Sequence, residues 1–124
     1  MNDKDFLIKP SYDADADALF IKRTDDYEYA ESVELDNNIV LDFDTKGVPS
    51  ALEILNASTV FDITKFALKN IKNISMQIEV LEDLIHVRFV MGVLFRNEEI
   101  PKIIDEITLN DINAPINNVE LVSA

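Results

Sequence analysis

Two groups of carboxylates in this chain have the spacing that a bound divalent cation would need. In the first, Asp42 and Asp44 take positions one and three of a calcium-binding loop, with Gly47 at position six and Glu53 at position twelve. Such a loop gathers about six to eight oxygen ligands around one hard cation. Lys46 places a positive charge at position five, where a ligand belongs. The alternative is a hairpin turn whose polar face carries solvated acids.

The second group is an alternating run of three aspartates, Asp13, Asp15 and Asp17. In an extended segment the three carboxylates point the same way and repel one another unless a cation or a basic partner covers them. The alternative is a turn in which aspartate bonds to its own backbone. The two groups could also meet across a sheet as one calcium site. The candidate metal ligands are Asp13, Asp15, Asp17, Asp42, Asp44 and Glu53.

The composition excludes several classes of function. The 124 residues include 24 Asp and Glu against 11 Lys and Arg, a net charge of -13, so no basic surface is expected for nucleic acid. The chain has no cysteine, which excludes disulfides, thiolate metal sites and thiol nucleophiles. Its two glycines cannot build a glycine-rich phosphate loop, and its single histidine, His86, fits the polar face of a half-buried strand. We therefore expect no catalytic residues and no cofactor other than calcium.

The length and the hydropathy pattern predict a cytoplasmic protein of one domain, residues 1–124. Hydrophobic residues make up 48% of the chain, which is typical of a folded protein. The beginning of the sequence has neither the basic nor the apolar segment of a signal peptide. The longest apolar run, residues 89–95, is far shorter than the roughly 20 residues that cross a bilayer. No membrane partner is expected.

The first half of the chain has the alternating pattern of an acidic β-meander. Strands are predicted at residues 18–23, 39–44 and 51–55, with weaker ones at 8–12 and 30–35. Gly47 lies in a turn between two of them.

The second half, residues 59–124, is predicted to be a helix–hairpin–helix extension. A capping-box pattern at Thr59 begins a helix that ends between residues 70 and 73, and a hairpin follows at 75–81 and 84–95. A second helix is predicted over residues 98–109, and an edge strand over 118–122. The fold class is thus α+β, an antiparallel sheet with two helices.

The second helix is predicted from four isoleucines at the spacing i, i+3, i+4 and i+7, namely Ile100, Ile103, Ile104 and Ile107. Pro101 falls in its first turn, where a missing N–H is tolerated. If the chain itself does not cover these isoleucines, they form a surface for a partner or for a second copy.

Two motifs of the first half resemble a known family. The first is Tyr-Asp-x-x-x-Asp-Ala-Leu-Phe-Ile, and the second is an Asp-x-Asp-x-x-Gly turn followed by Glu-Ile-Leu-x-Ala-Ser. The residues that match are Tyr12, Asp13, Asp17, Ala18, Leu19 and Ile21, then Asp42, Asp44, Gly47, Glu53, Ile54, Leu55, Ala57 and Ser58. They resemble the domain of unknown function 2283 family over residues 9–58. The chain departs from that pattern at Phe20, Pro49 and Ala51.

The resemblance implies a small β-meander followed by a helix, and no established activity. Some members resemble the antitoxin half of a toxin–antitoxin pair. With the net charge of -13, this favours a non-enzymatic interaction module that binds a basic protein partner by electrostatic complementarity. The alternative function is calcium binding by the two aspartate groups. A homo-oligomer is a further expectation.

Overall fold

The structure is a computed structural model, and it describes residues 4–123. Strands account for 65% of these residues and helices for 8%. The strands are β1 (Lys4–Asp13), β2 (Ala18–Arg23), β3 (Tyr29–Asp36), β4 (Ile39–Asp44), β5 (Pro49–Leu55), β6 (Ile71–Val80), β7 (Leu84–Phe95), β8 (Glu98–Leu109) and β9 (Asn117–Ser123). Two short helices, α1 (Ala57–Phe61) and α2 (Lys65–Leu68), connect β5 to β6.

All nine strands form one curled sheet in the order β3-β4-β5-β2-β1-β9-β6-β7-β8. Neighbouring strands are antiparallel except β1 and β9, which are parallel. The apolar residues that alternate along the strands point into the curl and form one continuous core. The predicted α+β fold with an antiparallel sheet is therefore wrong, because the sheet is mixed and helices are a minor component.

The helix predicted from Thr59 is replaced by two short ones. α1 begins earlier, after Asn56, and ends at Phe61, because the next residue, Asp62, adopts the left-handed conformation (φ 53°). α2 begins after Thr64, whose Oγ1 accepts a hydrogen bond from the backbone N–H of Ala67 at 3.1 Å. The left-handed residue breaks the continuous helix that the apolar spacing predicted.

The helix predicted over residues 98–109 is also wrong, since this segment is strand β8. Its isoleucines are β-branched and favour strands, and β8 pairs along its whole length with β7. Ile100 and Ile104 lie on the inner face, whereas Ile103 and Ile107 point outwards. β8 is at the edge of the sheet, where Pro101 is tolerated.

The predicted strands at residues 18–23 and 39–44 are confirmed as β2 and β4. The tail is a strand as well, but the prediction that it lies at an edge is wrong. β9 lies in the middle of the sheet between β1 and β6, with Val119 and Leu121 buried. It therefore joins the strands of the first half to those of the second.

Gly47 makes a second connection between the two halves. Its φ of +77° is one that side-chain-bearing residues rarely adopt. A Cβ atom at this position would lie 2.4 Å from Cδ of Pro115, in the β8–β9 loop. Only glycine lets the β4–β5 turn approach that loop so closely.

No helix within residues 4–123 has the length and apolar character that a membrane crossing requires.

Candidate functional site

The run of three aspartates forms the turn between β1 and β2. Oδ1 of Asp13 accepts hydrogen bonds from the backbone N–H groups of Asp15 (3.0 Å) and Ala16 (3.2 Å). Asp15 is exposed, whereas Asp17 is half-buried and left-handed, with φ 52°. The segment is thus a turn that aspartate stabilises through its own backbone, and the three side chains have different surroundings.

Asp17 fastens this turn to the start of α1. Its Oδ1 accepts hydrogen bonds from the hydroxyl of Tyr12 (2.7 Å) and the backbone N–H of Ser58 (3.0 Å), and its Oδ2 accepts one from Ser58 Oγ (2.6 Å). Desolvation would raise the pKa of Asp17, but the bonds from Ser58 and Tyr12 outweigh it and lower the pKa. Burial and the bond to Asp17 raise the pKa of Tyr12 to about 12. We call these three residues the Tyr12–Asp17–Ser58 clamp.

Asp44 is fully engaged in the β4–β5 turn. Its Oδ1 accepts the backbone N–H groups of Lys46 and Val48, both at 2.9 Å, and its Oδ2 accepts an N–H of Arg23 at 3.0 Å. The Arg23 guanidinium also binds Asp25 through two nitrogens, and this bond raises the Arg23 pKa and lowers that of Asp25. The carboxylate at position three of the calcium-loop pattern therefore neutralises a buried arginine.

Asp42 and Glu53 form a carboxyl pair on adjacent strands. Asp42 is 8% exposed and accepts a hydrogen bond from Ser32 Oγ at 2.6 Å. A hydrogen bond with Asp42, followed by burial and by repulsion from the Asp42 charge, raises the pKa of Glu53 to about 7, while Lys22 opposes this shift. Below about pH 7 Glu53 is therefore mainly protonated, and its carboxyl can donate a hydrogen bond to Asp42.

The structure brings Asp42 and Glu53 together and places Asp42 away from the aspartate run. On β2, Ala18 directly follows Asp17. Four residues later, Lys22 pairs with Ala51 of β5, which pairs in turn with Asp42 of β4. Four residues along a strand separate these two levels by about 13 Å. Within residues 4–123, no three His, Cys, Asp or Glu side chains gather in a way that could hold a metal ion. Calcium binding stays a prediction of the sequence.

A separate feature lies at the other edge of the sheet, on the outer side of β7 and β8. Three large apolar side chains of β8 are exposed there, Ile103 (58%), Ile107 (60%) and Leu109 (64%). Cross-strand pairing sets half-buried Val90 opposite Ile103 and Leu84 opposite Leu109. We call these five residues the β7–β8 face. The sequence pointed to part of it, because isoleucines that the chain does not cover were expected to form a surface.

Charged residues surround and interrupt the β7–β8 face. His86, opposite Ile107, bonds through Nε2 to Asp105 Oδ1. Arg88 lies opposite Asp105. Glu99 lies on the same side of β8 as Ile103 and Ile107, whereas Glu98 and Glu106 alternate with them and point to the other side. Apolar and polar side chains therefore alternate on this side of the two strands, and its acids are Asp105 and Glu99.

The Tyr12–Asp17–Ser58 clamp was not foreseen from the sequence. Two of its members, Asp17 and Ser58, are 41 residues apart in the sequence. Local patterns of period two or 3.6 carry no information about such a distant bond. The one indication in the sequence was that Tyr12, Asp17 and Ser58 all belong to the two motifs that carry the family resemblance.

Comparisons with known proteins agree with the resemblance. The family described as "Protein of unknown function (DUF2283)" matches residues 9–58. A Methanosarcina mazei protein named "Putative hypoxanthine phosphoribosyltransferase" is 36% identical over 116 residues, covering 94% of this chain and 93% of that protein. The "Uncharacterized protein MJ0789" of Methanocaldococcus jannaschii is 32% identical over 96 residues, 77% of this chain and 81% of that protein. No solved structure matches the chain.

Proposed function

The chain belongs to the DUF2283 family of proteins of unknown function, and from this premise we propose that it is a non-enzymatic interaction module that binds a basic protein partner. The partner covers the β7–β8 face. An antitoxin-like role is one form that this function would take.

The observation that carries the proposal is the exposure of adjacent apolar side chains on β8. A single exposed isoleucine is ordinary, but several large apolar side chains exposed on one side of a strand are typical of interaction sites. Ile103 and Ile107 are more than half exposed, while Ile104 between them is 6% exposed. The strand thus buries one apolar row in the core and leaves a second uncovered.

Charge indicates the kind of partner. The net charge is -13, and Asp105 lies between Ile103 and Ile107 on the outer side of β8. A basic partner would be attracted over a distance of about 10 Å at moderate salt, and its cationic side chains would pair with the acids beside the exposed isoleucines. An acidic partner would be repelled by the same field.

The proposal is tested with labelled helical peptides that have leucines along one side. One peptide carries lysines on its other side, and a second carries glutamates instead. Fluorescence anisotropy should show binding of the lysine peptide only, weaker at 300 mM than at 50 mM salt because the charges are screened. The variant Ile103→Thr/Ile107→Thr should weaken this binding at least tenfold.

Phe66→Ser is the matched control, because Phe66 is 74% exposed but lies on α2, outside the β7–β8 face. It should bind the lysine peptide as the wild type does. Equal binding of both peptides, or equal loss in both variants, would contradict the proposal.

The name of the Methanosarcina relative gives no second candidate function. Phosphate groups are commonly held by successive backbone N–H groups in a glycine-rich loop. This chain has two glycines, Gly47 in the β4–β5 turn and Gly92 within β7.

A further inference from the structure

A polar groove of about 320 Å³ lies beside the β7–β8 face, on the outer side of β1, β9, β6 and β7. Its ionisable lining residues are Asp5, Glu79, His86, Arg88 and Glu120. His86 and Arg88 belong to β7, so the groove is continuous with the apolar face. An occupant of one surface therefore reaches the other.

The strand register gives the distance between the two surfaces. Glu79 is directly opposite His86, which is directly opposite Ile107, so the three residues form a row across β6, β7 and β8. Neighbouring strands are about 4.8 Å apart, which places Glu79 about 10 Å from Ile107. In an α-helix, residues i and i+7 share a side and are also about 10.5 Å apart.

The charges of the groove favour a cation. Asp5 and Glu120 are directly opposite each other on β1 and β9, an arrangement of like charges that costs stability when nothing lies between them. Glu79 is a third carboxylate, and Arg88 is the one guanidinium among the lining residues. Arg88 also lies opposite Asp105, which partly offsets its charge. A Lys or Arg side chain from outside would relieve the repulsion between the carboxylates.

We propose that this groove receives a basic side chain of the partner whose apolar residue covers Ile107. The protein would then recognise an amphipathic helix in which Lys or Arg follows an apolar residue by seven positions. This inference rests on the proposed function, and it adds the geometry that selects the partner.

Two helical peptides of identical composition test the spacing. Both carry one apolar anchor, and a single Arg stands at i+7 in one peptide and at i+3 in the other. The helix rise places that Arg about 10.5 Å or about 4.5 Å from the anchor. We expect the i+7 peptide to bind the wild type at least fivefold more tightly. The preference should disappear in Glu79→Gln/Glu120→Gln and persist in Glu34→Gln, which removes an exposed acid of β3.

A charge exchange provides a second reading. Glu79→Lys should lose the i+7 peptide and gain binding of the same peptide with Glu in place of Arg. A protein that is merely destabilised would lose the Arg peptide but would not gain binding of the Glu peptide.

The outcomes separate this inference from the proposed function. If both peptides bind equally and Ile103→Thr/Ile107→Thr still abolishes binding, the groove inference is overturned and the interaction module stands. If neither peptide binds, or if binding ignores the Ile103 and Ile107 substitutions, both are overturned. A concentration-dependent dimer in sedimentation that Ile107→Thr dissolves would assign the face to a second copy and also overturn the inference.

Discussion

The two regions of the sheet, strands β1 to β5 and strands β6 to β9, differ in how far their conspicuous side chains make contacts within the protein. In the first region the motif carboxylates are occupied, since Asp17 accepts three hydrogen bonds and Asp44 accepts two backbone bonds and an arginine bond. In the second region, β8 leaves Ile103, Ile107 and Leu109 more than half exposed. The first region satisfies these two carboxylates internally, while the second leaves three large apolar side chains of one strand uncovered on one side.

This difference changes where a function should be sought. Asp17 and Asp44 stabilise turns, because protein donors already fill most of their acceptor positions. The surface with unmet contacts is the β7–β8 face, whose residues looked like an ordinary helix core. Substitutions in the first region should therefore alter stability, and those on the face should alter binding.

The largest effect on stability is expected from breaking the clamp with Asp17→Asn. Asparagine tolerates the left-handed conformation, so the change reports mainly the loss of charge-assisted hydrogen bonds from Tyr12 and Ser58. We expect the free energy of unfolding to fall by about 2 kcal/mol, as measured by urea denaturation.

Asp15→Asn is the matched control, because Asp15 is an exposed acid of the same turn. It should change the free energy of unfolding by less than about 0.5 kcal/mol. Equal losses in the two variants would show that the turn, and not the clamp, holds this part of the first region together.

A smaller, pH-dependent effect is expected from Glu53→Gln. The pKa of Glu53 is raised from 4.5 to about 7, so between these values the folded protein binds more protons than the unfolded chain. The free energy of unfolding should therefore fall as the pH rises from about 4.5 to 7, and stay reduced above 7. Glutamine donates to Asp42 at every pH, so the variant should lack this fall and be more stable than the wild type at pH 8. Because Glu53 is half-buried, solvent screening should limit the gain to about 1 kcal/mol.

Thermal melts at pH 5, 6, 7 and 8 check this expectation. The exposed Glu34 on β3 provides the control Glu34→Gln, which should follow the wild-type profile. If the melting temperature of Glu53→Gln changed with pH in parallel with that of the wild type, Glu53 would not hold a proton between pH 5 and 7.

The sequence predicted the strands better than the way they assemble. Alternation identified β2 and β4 because their two faces have different surroundings, and the Asp13 turn followed from local backbone bonding. β8 was missed because isoleucines at i and i+4 share a face in a helix and in a strand alike. The central position of β9 and the pairing of Asp42 with Glu53 depend on tertiary register, which local spacing does not encode.

The smallest effect on stability, and the most direct check of the comparison, is expected on β8 itself. Ile103 and Ile104 are neighbours with the same side chain, but the first is 58% exposed and the second 6%. Ile103→Thr keeps a β-branched residue on an exposed face and should change the free energy of unfolding by less than about 0.5 kcal/mol. Ile104→Thr removes buried apolar volume and places a hydroxyl in the core, which should cost about 2 kcal/mol.

Urea denaturation of both variants, with peptide binding measured alongside, would contradict the comparison if Ile103→Thr were as destabilising as Ile104→Thr. The uncovered row would then support the fold, and the β7–β8 face would no longer be free to serve a partner.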